Sequence, residues 1–123
     1  MKAKVLIIDD EDIFREDLAS LLRHRSYECQ TASDGEGGLI RAEEFQPDII
    51  FCDVVMPGMN GFQVFDKIIS RYPHSSVVII TAFSNPGTMT HLFRKGAVDY
   101  MVKPLGLEEI VQKINNIMEN KEN

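Results

Sequence analysis

Ile49-Ile50-Phe51-Cys52-Asp53 is the stretch on which the fold turns. Four apolar residues in succession leave no polar face, which suits a central strand of a parallel sheet covered on both sides. The run ends in a carboxylate. Working outward, the same pattern recurs. Val5 to Ile8 ends in Asp9-Asp10, Val77 to Ile80 ends at Thr81, and Val98 to Val102 ends at Lys103-Pro104. A weaker strand over Tyr27 to Ala32 alternates Glu28 and Gln30 with Cys29 and Thr31, as an edge strand does.

Between the runs lie stretches of helical period. One starts near Asp12 and carries a stripe of Ile13, Phe14, Leu18, Leu21 and Leu22. The turn Ser33-Asp34-Gly35 leads to a helix through Leu39, Ala42 and Phe45, which Pro47 ends. Gly37 and Gly38 make its start a poor helix former. The loop Met56-Pro57-Gly58-Met59-Asn60-Gly61 follows Asp53, with Asn60 as the N-cap of a helix bearing Phe62, Phe65, Ile68, Ile69 and Tyr72. Pro86 suits the first position of a fourth helix, through Met89, Leu92 and Phe93 to Gly96, although Ser84 to Thr88 is turn-rich and favours a late start. Met89, His91 and Phe93 suit packing first, with a partner surface on the exposed side of that helix as the alternative. A fifth helix shows Leu107, Ile110, Val111, Ile114, Ile117 and Met118 on one side, and polar residues follow from Glu119.

Five β-α units in series predict an α/β flavodoxin-like (βα)5 doubly wound sandwich, with a five-stranded parallel sheet in order 2-1-3-4-5. All 123 residues fit one domain, and a chain of that length can bury a core without staples. The two cysteines, Cys29 and Cys52, fall in strands and need no bridge. Three scattered histidines and the absence of CxxC spacing argue against zinc. The net charge of −6 argues against direct binding to nucleic acid or to an acidic membrane. Four apolar residues near the N-terminus are too few for a signal core or a spanning helix, so a cytoplasmic protein is expected.

In a parallel sheet the polar strand ends share one rim. Asp9, Asp10, Asp53, Thr81 and Lys103 should therefore converge on a pocket at the switch point between strands 1 and 3. Each alone is an ordinary turn, strand or surface residue. Together they form a phosphoryl-handling set. Three close carboxylates call for a divalent cation, and Mg²⁺ takes such oxygen ligands, with a backbone carbonyl just after Asp53 as a further one. Lys103 and Thr81 would neutralise and hydrogen-bond phosphoryl oxygens, and Asp53, between the acid pair and Thr81, is the candidate nucleophile.

The segments Ile7-Ile8-Asp9-Asp10-Glu11, Asp53 to Gly61, Thr81-Ala82 and Asp99-Tyr100-Met101-Val102-Lys103-Pro104 resemble, in order and spacing, the receiver domains of two-component response regulators. The resemblance covers essentially the whole chain. It implies that Asp53 accepts a phosphoryl group from a phosphohistidine on a sensor histidine kinase or histidine phosphotransfer protein. It implies that Asp9, Asp10, Asp53 and the carbonyl of Val55 hold Mg²⁺, and that Ala82 leaves room for the phosphoryl group. It further implies a cis Lys103-Pro104 bond. Thr81 and Tyr100 would form a switch in which Tyr100 swings inward. The face of helix 4, strand 5 and helix 5 would then contact an output domain or protein, with homodimerisation there a further option. The chain fits either a stand-alone regulator or the receiver part of a longer one. Two positions depart toward apolar residues: Val55, second after Asp53, and Phe83, second after Thr81. Both imply slow hydrolysis of the aspartyl-phosphate.

Rivals fare worse. An FMN carrier would need a phosphate cradle where Asp9 to Asp12 stand. Gly35-Glu36-Gly37-Gly38 lacks the third glycine of a dinucleotide fingerprint, having Ile40 there. A Mg²⁺-dependent phosphatase with an aspartyl nucleophile would want an acid where Val55 stands. A purely structural interaction domain would not need Asp53, Thr81 and Lys103 together.

Overall fold

A computed structural model describes residues 2–55 and 61–122. The strands are β1 (Lys4–Ile8), β2 (Glu28–Ala32), β3 (Ile49–Cys52), β4 (Ser76–Thr81) and β5 (Asp99–Val102). They alternate with α1 (Asp12–His24), α2 (Gly35–Phe45), α3 (Gly61–Arg71), α4 (Pro86–Lys95) and α5 (Leu107–Glu122). All four strand pairings are parallel, in the order β2-β1-β3-β4-β5. This is the flavodoxin-like arrangement expected from the alternation.

The side-chain period of two splits each central strand between two cores. Leu6, Ile8, Ile50, Cys52, Val77 and Ile79 pack with Ala42 of α2, Val64, Phe65 and Ile68 of α3, and Leu92 of α4. Val5, Ile7, Ile49, Phe51, Val78 and Ile80 pack with Leu18, Ala19 and Leu22 of α1 and Ile110, Ile114 and Ile117 of α5. Both faces of the sheet are thus covered, which is why β3 has no polar residue. Each fully buried Ile, Leu or Phe stabilises the fold by roughly 1.5–3 kcal/mol.

Four details differ from the sequence pattern. In α1 the buried residues are Arg15, Leu18, Ala19 and Leu22, while Ile13 is 80% exposed and Leu21 is exposed. Arg15, Leu18, Ala19 and Leu22 follow the i, i+3, i+4, i+7 rule, and Ile13 falls on the opposite side. Helix α2 starts at Gly35 despite its glycines. Asp34 caps it by accepting from the Gly37 amide at 2.7 Å, and Gly38 lets the helix sit against Ile8. Helix α4 starts at Pro86 and not later, because Asn85 caps it through the Thr88 amide at 3.0 Å. Helix α5 runs on to Glu122, past the last apolar position. The expected cap Asn60 lies outside the described residues. Cys29 and Cys52 are buried and unpaired.

Candidate phosphoryl-transfer site

Register alone assembles the site. Ile8 pairs with Cys52, so Asp9 and Asp53 leave neighbouring strands side by side. The Asp53 amide continues the ladder to the Ile8 carbonyl at 3.0 Å. Thr81 pairs with Val102, and the Lys103 amide reaches the Thr81 carbonyl at 2.8 Å. The topology places these ends at the crevice where the order reverses between β1 and β3.

The side chains then converge. Lys103 Nζ lies 2.8 Å from Asp9 Oδ2, 2.7 Å from Glu11 Oε1 and 3.4 Å from Asp53 Oδ2. It also sits 4.5 Å from the centre of the Phe14 ring. Burial pulls its pKa down, but the Asp9 and Glu11 contacts and the charges of Asp9 and Asp53 outweigh that and hold it above its usual range. The peptide bond from Lys103 to Pro104 is cis.

Asp9 is fully buried and Asp53 is 3% exposed. Asp53 Oδ1 accepts from the Val55 amide at 2.8 Å. Burial raises the Asp53 pKa; the Val55 amide opposes this, the Asp9 charge adds to it, and Lys103 opposes it, with a net upward shift. Asp9 Oδ1 accepts from the Glu11 amide at 2.9 Å. Asp9 Oδ2 is buried, and the close contact it has is the Lys103 ammonium at 2.8 Å.

One oxygen each from Asp9, Asp10 and Asp53 lies within 4.8 Å of the others. That donor set is all hard oxygen. It is of the kind that a small divalent cation takes.

Thr81 is fully buried, and its Oγ1 accepts from the Phe83 amide at 3.2 Å. Tyr100 is buried too, with its hydroxyl 2.7 Å from the Phe83 carbonyl. Burial, with the Asp53 charge, pushes the Tyr100 pKa up, so the phenol remains a donor.

Residues 5–115 match the family model of the response regulator receiver domain. The chain belongs to this family. The receiver is 35% identical over 116 residues to Response regulator GacA of Pseudomonas aeruginosa, covering 93% of this chain and 54% of that protein. It is 34% identical over 116 residues to Transcriptional regulatory protein LnrK of Bacillus subtilis, covering 93% and 53%. It thus spans about half the length of the curated relatives it matches. Among solved structures, chemotaxis protein CheY4 of Vibrio cholerae superposes with a TM-score of 0.87 at 29% identity, covering 95% of this receiver and 99% of that chain. A CheY-like receiver domain protein of Methanospirillum hungatei gives 0.93 at 21% identity, covering 99% and 98%, a likeness of fold alone.

Two residues of this receiver's site escape a strand-end reading. Glu11 looks like favourable negative charge at a helix start, yet it contacts Lys103. Arg15 looks like a solvated helix residue, yet it is buried and donates to the Asp9 carbonyl at 2.8 Å. An arginine in phase with Leu18, Ala19 and Leu22 is the signal that could have marked it.

Proposed function

We propose that residues 1–123 form a phosphoacceptor switch of a two-component phosphorelay, with Asp53 as the acceptor. The donor is a phosphohistidine on a sensor histidine kinase or histidine phosphotransfer protein. A carboxylate oxygen of Asp53 bonds to phosphorus as the phosphorus–nitrogen bond breaks, and the electron pair stays on the imidazole. The observation that carries this reading is the Lys103 ammonium 3.4 Å from Asp53 Oδ2 at the same rim as Asp9 and Thr81.

Each residue has a task. Lys103 bridges the carboxylates and offers positive charge to the phosphoryl oxygens. Thr81 Oγ1 accepts from Phe83, which leaves its own proton to donate. Asp9, Asp10, Asp53 and the carbonyl oxygen of Val55 would hold Mg²⁺. The gathering of one oxygen each from Asp9, Asp10 and Asp53 within 4.8 Å of one another supports that assignment. Bound there, the cation supplies charge neutralisation to the transferring group.

Contacts open only to the phosphorylated form would bias Thr81, Phe83 and Tyr100 toward one of two arrangements. The α4-β5-α5 face would relay that bias to an output domain or protein, or to a second copy. The net charge of −6 disfavours direct nucleic-acid binding by this domain. No helix among the described residues is long and apolar enough to cross a membrane. A phosphohistidine donor implies a cytoplasmic setting.

The protein is a switch and not a turnover enzyme in this reading. Acetyl phosphate with Mg²⁺ should add one phosphoryl group per chain, seen by intact mass, and none in Asp53→Asn or in EDTA. Turnover of many equivalents would favour the Mg²⁺-dependent aspartyl phosphatase instead. An unmodified wild-type chain would remove both.

A further inference from the structure

We infer that Arg15 is a positioning residue that sets the direction of Asp10 by clamping the Asp9–Asp10 peptide. The inference rests on the magnesium reading above and adds a residue to it.

Arg15 is 9% exposed, on the inner side of α1. Each nitrogen of its guanidinium has its own acceptor. Nη1 donates to the Asp9 carbonyl at 2.8 Å, Nε to Glu16 Oε2 at 2.9 Å, and Nη2 pairs with Asp12 Oδ1 at 2.8 Å. The two carboxylates are largely exposed and balance the buried charge. What Arg15 gives the site is therefore mainly geometric, one directed hydrogen bond to a backbone oxygen.

That oxygen matters because of where it lies. The Asp9 amide is held by the Ala32 carbonyl at 3.1 Å, and Asp9 Oδ1 by the Glu11 amide at 2.9 Å. The Arg15 bond closes the set and fixes the plane of the next peptide. Among the described residues the Asp10 side chain accepts no hydrogen bond and forms no ion pair. Its direction thus depends on the peptide from which it hangs. Removing the donor leaves a buried carbonyl unpaired, and turning that peptide toward water re-aims Asp10. Partners that orient metal ligands in this way typically change metal affinity by about 10–100-fold when removed.

The test uses the full chain. Mg²⁺ affinity is measured by calorimetry, and the Asp10 amide is followed by NMR in EDTA. Arg15→Met should weaken Mg²⁺ about tenfold and shift or broaden the Asp10 amide without metal. Arg15→Lys keeps the charge but not the planar fork, and should fall between the two. A folded Arg15→Met that melts earlier yet binds Mg²⁺ as the wild type does would mark a merely structural role and overturn the clamp. If Arg15→Met does not fold, Arg15→Lys decides, and an affinity equal to wild type overturns the inference. Failure of the wild type itself to take up Mg²⁺ would instead sink the magnesium reading, and the clamp with it.

Discussion

Tyr100 and Thr81 are joined through one residue, Phe83: the Tyr100 hydroxyl donates to its carbonyl at 2.7 Å, and its amide donates to Thr81 Oγ1 at 3.2 Å. A movement of Thr81 toward Asp53 would therefore pull on the same peptide segment that holds Tyr100. Tyr100→Phe keeps the buried ring and deletes one hydrogen bond. Phe83 is half exposed, so its carbonyl can turn to water, and the loss should be about 1 kcal/mol. Equilibrium urea unfolding measures it. Asp53 phosphorylation by acetyl phosphate should persist, because Tyr100 has no hydrogen bond to Asp53 among those described.

Two glycines should respond differently to alanine. At Gly61 a Cβ would lie 2.4 Å from the Val54 Cα and carbonyl oxygen, which are backbone atoms next to Asp53. The start of α3 must then shift, at about 1–3 kcal/mol, and phosphorylation should slow as that backbone moves. At Gly38 a Cβ would meet three side-chain atoms of the buried Ile8, Cδ1 at 2.6 Å, Cγ1 at 3.0 Å and Cγ2 at 3.2 Å, but no backbone. The gain in helix propensity of about 1 kcal/mol offsets part of that crowding. Gly61→Ala should unfold at clearly lower urea than Gly38→Ala, and the reverse order would contradict the packing described.

The fold was legible because register does so much in a parallel sheet. Once Ile49 to Cys52 is read as a buried strand, the strand ends and the shared rim of Asp9, Asp53, Thr81 and Lys103 follow from topology. What periodicity could not show was how single side chains turn. Ile13 looked like part of a stripe, but Arg15 holds the inner position in its phase. An arginine reaches that position only because an unpaired backbone carbonyl and two flanking carboxylates await it, and no hydrophobic pattern carries that information. Glu11 escaped for a similar reason. Its contact with Lys103 spans 92 positions in sequence and depends on how the chain passes Pro104.

Asp53→Asn should stabilise the metal-free protein at pH 7. Burial, reinforced by Asp9, raises the Asp53 pKa, despite the Val55 amide and Lys103. A carboxyl whose folded pKa is raised contributes fully below its unfolded pKa of about 3.9, and that contribution is lost as pH rises through the folded value. Asparagine escapes this loss. In EDTA the urea midpoint of the variant should match wild type near pH 4 and exceed it at pH 7. Mg²⁺ should then raise the wild type by mass action and narrow the gap. A variant less stable than wild type at pH 7 in EDTA would show that the Lys103 contact outweighs the desolvation of Asp53.

Hydrolysis of the aspartyl-phosphate should be slow. Water attack on phosphorus is helped by a polar side chain that orients the nucleophile or takes its proton, an effect of about 10²–10⁴-fold for a positioned general base. The two residues that flank the site in the right loops cannot do this. Val55 follows Asp53 by two and is 57% exposed, and Phe83 follows Thr81 by two and is 49% exposed. Both are held through their amides, to Asp53 Oδ1 and Thr81 Oγ1, and their side chains are exposed and outside the core. Phosphoprotein freed of donor should keep its label for many minutes at neutral pH, and Val55→Asn or Phe83→Asn should shorten that lifetime. Loss of the label within about a minute in the wild type, a rate that calls for a positioned general base, would mean that water is oriented by another group. Lys103 and Glu11 would be the first residues to examine, since their contact at 2.7 Å places a carboxylate at the same rim.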